Sequence, residues 1–460
     1  MLETGRRKFL TFSGALLGGI AVGSQVTAAT RTDRFIAETR GNRVPKDVDV
    51  VHEMPGVKFV VVEGREKDLK KSRAVKDYAP DIEVELDDPD VNSEAPTAEE
   101  ASVADEPYYP LQWDKQDLDI ETAHETTKGE GTRVTIIDTG VAAGHDDLVV
   151  KEKLSRNFTG DGFGAGIPAG GFHGTHVGGI VAAQTDNEVG VAGTAPETDL
   201  VDCRVFSPNA LASLADILAA VVYSANIDAD VANLSLGAYP LPRQGIGQLY
   251  GKALNRTMTY ANKEGTLLAI AAGNDSADLQ HDKNLISLPN EGAQGLSIAA
   301  TGPIGFGWDP DSVGDSPEPP RSPAIYTNYG TNAIDLAAPG GDFSPAGVAE
   351  DEDEDDVNPD WYLDLVLSTI AEPQFRMEDV DGDGEEEPVE YLGASYGYAW
   401  VAGTSMAAPQ VAGGAALVKS ANPNYNANQV ESALERAADV PEDYDKTYYG
   451  SGYLNIVDAL

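Results

Sequence analysis

The sequence predicts an α/β fold: a mostly parallel sheet with helices on both faces, preceded by a smaller α/β unit. Two observations carry the main fold. From about residue 107 onward, short apolar runs alternate with longer stretches of helical period. Such alternation is how parallel strands are joined, each crossover helix covering one face of the sheet. A third observation divides the chain. Residues 87–104, DDPDVNSEAPTAEEASVA, have no apolar periodicity and read as an exposed linker.

Residues 1–28 read as a twin-arginine secretion signal. Arg6-Arg7-Lys8-Phe9-Leu10 precede a weakly apolar run over 16–22 and a small-residue cleavage pattern, Val26-Thr27-Ala28. The run is too short to span a bilayer, so secretion without a stable membrane anchor is expected. In residues 31–86, KFVVVEG and DIEVELD are strand candidates and EKDLKKSRAVKDY a basic helix candidate. In residues 105–460 the strand candidates are RVTIID, DLVDCRVF, ADVANLSL, GTLLAIAA and GLSIAAT. The helices between them are LASLADILAAVVYSAN and QLYGKALNRTMTYANKEG. No internal repeat interrupts this order.

Charge narrows the partners. The chain of 460 residues carries 76 acidic and 32 basic side chains, a formal net charge of −44. Residues 31–80 hold 12 basic and 9 acidic groups, residues 81–460 hold 17 and 66. A mildly basic front unit can therefore sit against an acidic main domain. Nucleic acid is excluded as a partner, because its phosphates would be repelled. In dilute buffer such a surface repels itself; in molar salt the screening length falls to about 3 Å, so adaptation to high salt is expected. The single cysteine, Cys203, allows no intramolecular disulfide and reads as a small buried hydrophobe.

Three segments carry chemistry. In VTIIDTGVAAGHDDL, Asp138 ends a strand, at the edge where parallel sheets build their sites. In GFHGTHVGGIVAA, His173 sits in a glycine-flanked turn before a helix whose Gly178 and Gly179 imply close packing; His176 reads as a packing residue. In AWVAGTSMAAPQVAGG, Ser405 stands at a helix start, where free N–H groups favour negative charge. Taken singly, Asp138 is equally a turn residue and Ser405 equally an N-cap.

Together with NLSLG, AIAAGN and LAAPG, in that order, these segments resemble the subtilisin-like serine proteases (subtilases), and among them the secreted haloarchaeal halolysins. The resemblance spans roughly residues 105–460. It implies a subtilisin-like three-layer αβα fold and a serine endopeptidase. Ser405 would be the nucleophile, His173 the general base, and Asp138 the group that orients and stabilises the imidazole. Asn274 would join the Ser405 backbone N–H in binding the oxyanion. Ser235, Leu236 and Gly237 match the edge that pairs with extended polypeptide substrates, and Gly273 the pocket floor. Where many relatives have a second glycine, this chain has Ala238, whose methyl would narrow that pocket.

The resemblance also implies calcium. Thr185, Val189 and Val191 would ligate through carbonyls, Asn187 through its side chain, Asp147 and Glu106 through carboxylates, all hard oxygen donors. A second acidic stretch, DVDGDGEEEPVE, has the spacing of a calcium loop at Asp379, Asp381, Asp383 and Glu390, and is equally a solvated acidic run. It belongs to acidic insertions at 343–364 and 373–398. Residues 31–86 resemble the subtilase propeptide, an inhibitor cut off within about 87–107 by the enzyme itself. A monomer closing at the end of the catalytic domain is expected. An inactive calcium-dependent binding protein, or an esterase or amidase using the same triad, are the alternatives.

Overall fold

A computed structural model describes residues 29–460 apart from 42, 47, 86–90, 93–105, 209–210, 244–246, 282–283, 306–316, 352–358, 381–383 and 385. The signal sequence, residues 1–28, lies outside the described residues.

Seven strands form the central sheet. In spatial order they are Leu336–Pro339, Leu296–Thr301, Leu267–Ala271, Val231–Leu234, Arg133–Asp138, Asp199–Arg204 and Arg156–Asn157. Every neighbouring pair is parallel. The runs are apolar at successive positions because both faces are covered. Val134, Ile136, Leu200 and Leu267 pack in one core with the helices His173–Ala182 and Thr404–Ala421. Ile137, Val201, Cys203 and Leu268 face the other way, onto helices Leu214–Asn226 and Gly247–Glu264. This is the three-layer αβα arrangement that the sequence predicts.

Small residues position the two site-bearing helices. A Cβ on Gly179 would strike Thr369, and one on Gly178 would press on Val141 at 3.1 Å. The helix Thr404–Ala421 is buried continuously through Val418, and its alanines and glycines let it run through the core. Beside it, the hairpin Val366–Glu378 and Glu387–Val401 has a buried root and exposed arms. In the expected linker, Val91–Asn92 joins this hairpin as a third, antiparallel strand, pairing with Trp400 and Val401. The open edge of the hairpin supplies the hydrogen bonds that an exposed linker would otherwise make to water.

The front unit is an antiparallel sheet of Asp49–Met54, Phe59–Glu63, Ala29–Thr39 and Val75–Glu85. The expected basic helix contracts to Glu66–Leu69. Residues from Val75 onward instead pair with Ala29–Thr39 and bury Val75 and Ile82, which a short lysine-rich helix on its own could not match. The sheet gains a fifth strand from the main domain, Leu211–Ser213, residues expected to begin a helix. Ile36, Met54, Phe59 and Ile82 share a core with the helices Leu214–Asn226 and Gly247–Glu264. The charge match across this contact runs in both senses. Arg34 of the front unit pairs with Asp216, while Lys252 and Arg256 of the main domain reach back to Glu38 at 2.5 and 3.0 Å.

Candidate active site

Asp138 is the last residue of its strand and His173 the first of its helix. The His173 Nδ1 lies 2.8 Å from Asp138 Oδ1, and both side chains are buried. With Nδ1–H donating to the carboxylate, Nε2 is the ring atom that can take a proton. Thr139 locks the pair in place. Its Oγ1 accepts from Gly174 N at 2.8 Å and donates to Gly171 O at 3.0 Å, and Asp138 Oδ1 accepts from Thr139 N at 2.7 Å. His176, one turn on, contacts the hairpin carbonyls of Val366 and Ala399 through Nε2 at 3.2 and 3.1 Å. Burial pushes its imidazole down to about 3, in keeping with a packing role. The Cys203 thiol, also buried, is pushed up.

Ser405 is the second residue of its helix, with Gly403 as N-cap. Its hydroxyl donates to Ser235 O at 3.2 Å, and its carbonyl accepts from Ser235 Oγ at 2.7 Å. The Asn274 Oδ1 accepts from both Thr404 N and Thr404 Oγ1 at 2.9 Å, which turns the Nδ2 end toward Gly403. The space a Cβ on Gly403 would fill lies 3.5 Å from Ser405 N and 3.6 Å from Asn274 Nδ2. Two N–H donors therefore converge on one spot that glycine leaves open, at the positive end of a long helix.

Leu236, Gly237, Ala238, Gly273, Asn274 and Ser405 line one pocket. Ala238 is among them, and Ser287 and Asp275 add polar groups that sequence reasoning did not single out. Asn328 was also missed. It is buried, accepts from Asp275 N and Ala277 N at 3.0 and 2.9 Å, and donates to Ala272 O at 3.0 Å, so it holds the backbone around Asn274. It occupies the space a Cβ on Gly273 would need, at a φ of 101° that already favours glycine. Nothing in the local sequence NYGTN marks it.

Of the predicted calcium ligands of the first loop, Asn187 and Val191 lie against Asp147, while Thr185 Oγ1 accepts from Lys128 Nζ at 2.9 Å. The Asp147 carboxylate is buried, its Oδ1 accepts from Asn187 Nδ2 at 2.8 Å and its Oδ2 from Val191 N at 3.0 Å. Burial, with the charge of Glu106 adding, pushes it up to about 6. Glu106 itself accepts from Asp186 N. Asp186, Glu188 and Gly190 all have φ near +60°, so left-handed residues recur at every second position between Thr185, Asn187, Val189 and Val191. The groups turned to the Asp147 carboxylate are N–H donors, Asn187 Nδ2 and Val191 N; the loop's residue types, with carboxylate, amide and backbone oxygens, are nonetheless of the kind that suits a hard divalent cation. The second predicted loop differs. Glu390 lies on a hairpin strand opposite Arg376 and pairs with its Nε at 2.9 Å; Asp379 closes the neighbouring arm, and Asp381 and Asp383 lie outside the described residues. Among the described residues no cluster of three or more His, Cys, Asp or Glu could hold a metal by side chains alone.

Comparison with known proteins agrees with this geometry. The chain is 29% identical over 354 residues to the thermophilic serine proteinase of Bacillus sp. (strain AK1), covering 77% of this chain and 68% of that protein. It is 30% identical over 358 residues to an extracellular protease of Xanthomonas campestris pv. campestris, covering 70% of this chain but half of that protein. Among solved structures, a protease from Pseudoalteromonas arctica PAMC 21717 superposes with a TM-score of 0.55 at 27% identity, over 78% of this chain and 98% of its own. The subtilase family matches residues 129–452, which include Asp138, His173, Asn274 and Ser405. The chain belongs to the subtilase family of serine endopeptidases, hydrolases that act on peptide bonds.

Proposed function

We propose that the chain is the self-processing precursor of a secreted, calcium-stabilised, salt-adapted endopeptidase of halolysin character. The observation that carries the catalytic reading is the Asp138–His173 bond at 2.8 Å together with the two donors converging beside Gly403. Ser405 Oγ attacks the peptide carbonyl while His173 Nε2 takes its proton and returns it to the leaving amine. Asp138 keeps the imidazole in the right tautomer and stabilises its charged form. The oxyanion forms between Ser405 N and Asn274 Nδ2. Before attack, the Ser405 hydroxyl turns from Ser235 O toward His173. The substrate lies extended along Ser235, Leu236 and Gly237, with one side chain in the pocket over Gly273.

Asp147, Asn187 and Glu106, with the carbonyls of Thr185, Val189 and Val191, would hold calcium, which supplies the positive charge that the buried Asp147 lacks. Residues 31–86 act as the inhibitory propeptide, an assignment that their shared core with the main domain supports. Residues 87–104 form the linker that is cut, and 105–460 the catalytic domain. Secretion by the twin-arginine route is supported by Arg6 and Arg7 and by an extracellular relative; among the described residues no helix is long and apolar enough to cross a membrane.

The test is intact mass. Wild type and Ser405→Ala are folded in molar salt with calcium. The wild type should lose roughly its first hundred residues and Ser405→Ala should stay full length. If both remain full length, self-processing is wrong.

A further inference from the structure

One buried acid beside the site has no part in the mechanism above. Asp202 lies on the strand Asp199–Arg204, next to the strand that ends in Asp138, and is fully buried. The parallel register sets Asp202 opposite Ile136 and Arg204 opposite Asp138. Residues two apart share a face, so Asp202 and Asp138 are diagonal neighbours, with Cα atoms about 8 Å apart by strand spacing and rise. The Asp202 Oδ2 accepts from Gly166 N at 2.7 Å. Gly166 belongs to the segment 159–171 that leads directly into His173.

That segment rests on the two residues after Asp138. Gly170 N donates to Thr139 O at 2.9 Å, and Ile167 O occupies the space a Cβ on Gly140 would need. Arg204 grips its other end, with a fork onto Asp161 at 2.6 and 2.9 Å. The charged groups that bear on Asp202 are Asp138 on the adjacent strand and Arg204 on its own strand, which also grips Asp161 of the segment. Arg204 is engaged by Asp161. Burial, with the charge of Asp138 adding, pushes the Asp202 carboxyl up to about 7.

We propose that Asp202 is a positioning residue for the Asp138–His173 pair: through Gly166 it fixes the segment before His173, and its charge stands behind Asp138. The inference rests on the catalytic roles given above. Where Asp202 is ionised, its charge favours the protonated form of His173; because Asp202 itself is pushed up to about 7, the two groups titrate as a coupled pair. At an effective dielectric between protein and water, and with Asp202 ionised only in part, the shift is no more than about half a pH unit.

The experiment is the pH dependence of kcat and KM on a chromogenic peptide, for the processed wild-type enzyme, Asp202→Asn and Asp202→Ala. Asp202→Asn keeps an acceptor for Gly166 N but not the charge; its acid limb of kcat should move lower, by up to about half a unit, with the plateau kept. Asp202→Ala should show the same shift and a plateau several-fold lower, with KM unchanged. If the acid limbs of both variants coincide with that of wild type, Asp202 is merely structural and the inference fails; if Asp202→Ala does not fold, Asp202→Asn alone decides. Ser405→Ala, pre-cleaved in trans and assayed alongside, separates the two layers: retained turnover there overturns the catalytic roles themselves, whereas unmoved limbs in the Asp202 variants overturn only this inference.

Discussion

Asp138 and Asp147 are nine residues apart, both fully buried, and both bonded to backbone N–H groups. They differ in what stands opposite. Asp138 faces His173, an imidazole that can become cationic and that the chain's own core delivers. Asp147 faces an amide, a tyrosine hydroxyl at 3.4 Å and, further off, another acid. A buried negative charge is tolerated when its counter-charge is built in, and is costly when it is not. On the proposed roles, one acid belongs to a working pair and the other would take its counter-charge from a cation in solution.

Four perturbations sharpen this contrast, in falling order of effect. Asp138→Asn keeps the shape but favours the wrong tautomer of His173; kcat should drop by about 10⁴, measured by steady-state hydrolysis of a peptide substrate. Asn274→Ala removes one of the two converging donors and should lower kcat by about 10²–10³ with KM little changed. For Asp147 the lesion should be in stability. Adding calcium to about 100 times its Kd should stabilise the fold by about 2.7 kcal/mol, seen as a thermal midpoint several degrees higher than in chelator. Asp147→Asn should abolish most of that difference while leaving kcat of the folded enzyme near wild type; an undiminished calcium response would remove Asp147 from the site.

The smallest effect belongs to a third kind of acid. Glu431 is half-buried near Glu435 and Asp335, and burial together with these like charges pushes it up to about 7. Its folded pKa is above the unfolded one, so the folded state holds the extra proton between about pH 4.5 and 7, and stability falls as pH rises through that window. Glu431→Gln should therefore gain stability at pH 8, by under about 1 kcal/mol because the group is partly exposed, and gain nothing at pH 4. Denaturant midpoints at the two pH values, in dilute buffer and in molar salt, would test it; screening should erase part of the gain.

These acids also mark what can be read from sequence. Asp138, His173 and Ser405 are legible because each stands at a strand or helix end within a run whose composition is forced: apolar before Asp138, small after Ser405. The layer order is legible for the same reason, since continuous apolar runs need cover on both faces. Asn328 and Thr404 are not legible. They act by orienting backbone and amide groups from 50 or more residues away, and neither a loop residue such as Asn328 nor the first residue of a helix such as Thr404 has a periodicity to betray that. The strand Leu211–Ser213 and the shortened helix Glu66–Leu69 were misjudged because their partners lie in the other unit of the chain. Local propensity yields there to long-range pairing.

The hairpin Val366–Glu378 and Glu387–Val401 is buried at its base and touched further out by Phe163, which packs on Phe375. His176, three positions beyond His173, reaches the carbonyls of Val366 and Ala399, and burial ends after Ala371. Past Phe375 the first arm is exposed, and there the hairpin can lengthen, shorten or change its charge two residues at a time without moving the base. Evolution thus has a place to write new sequence beside the cleft at little risk to catalysis, and the acid-rich arms of this chain are one such text.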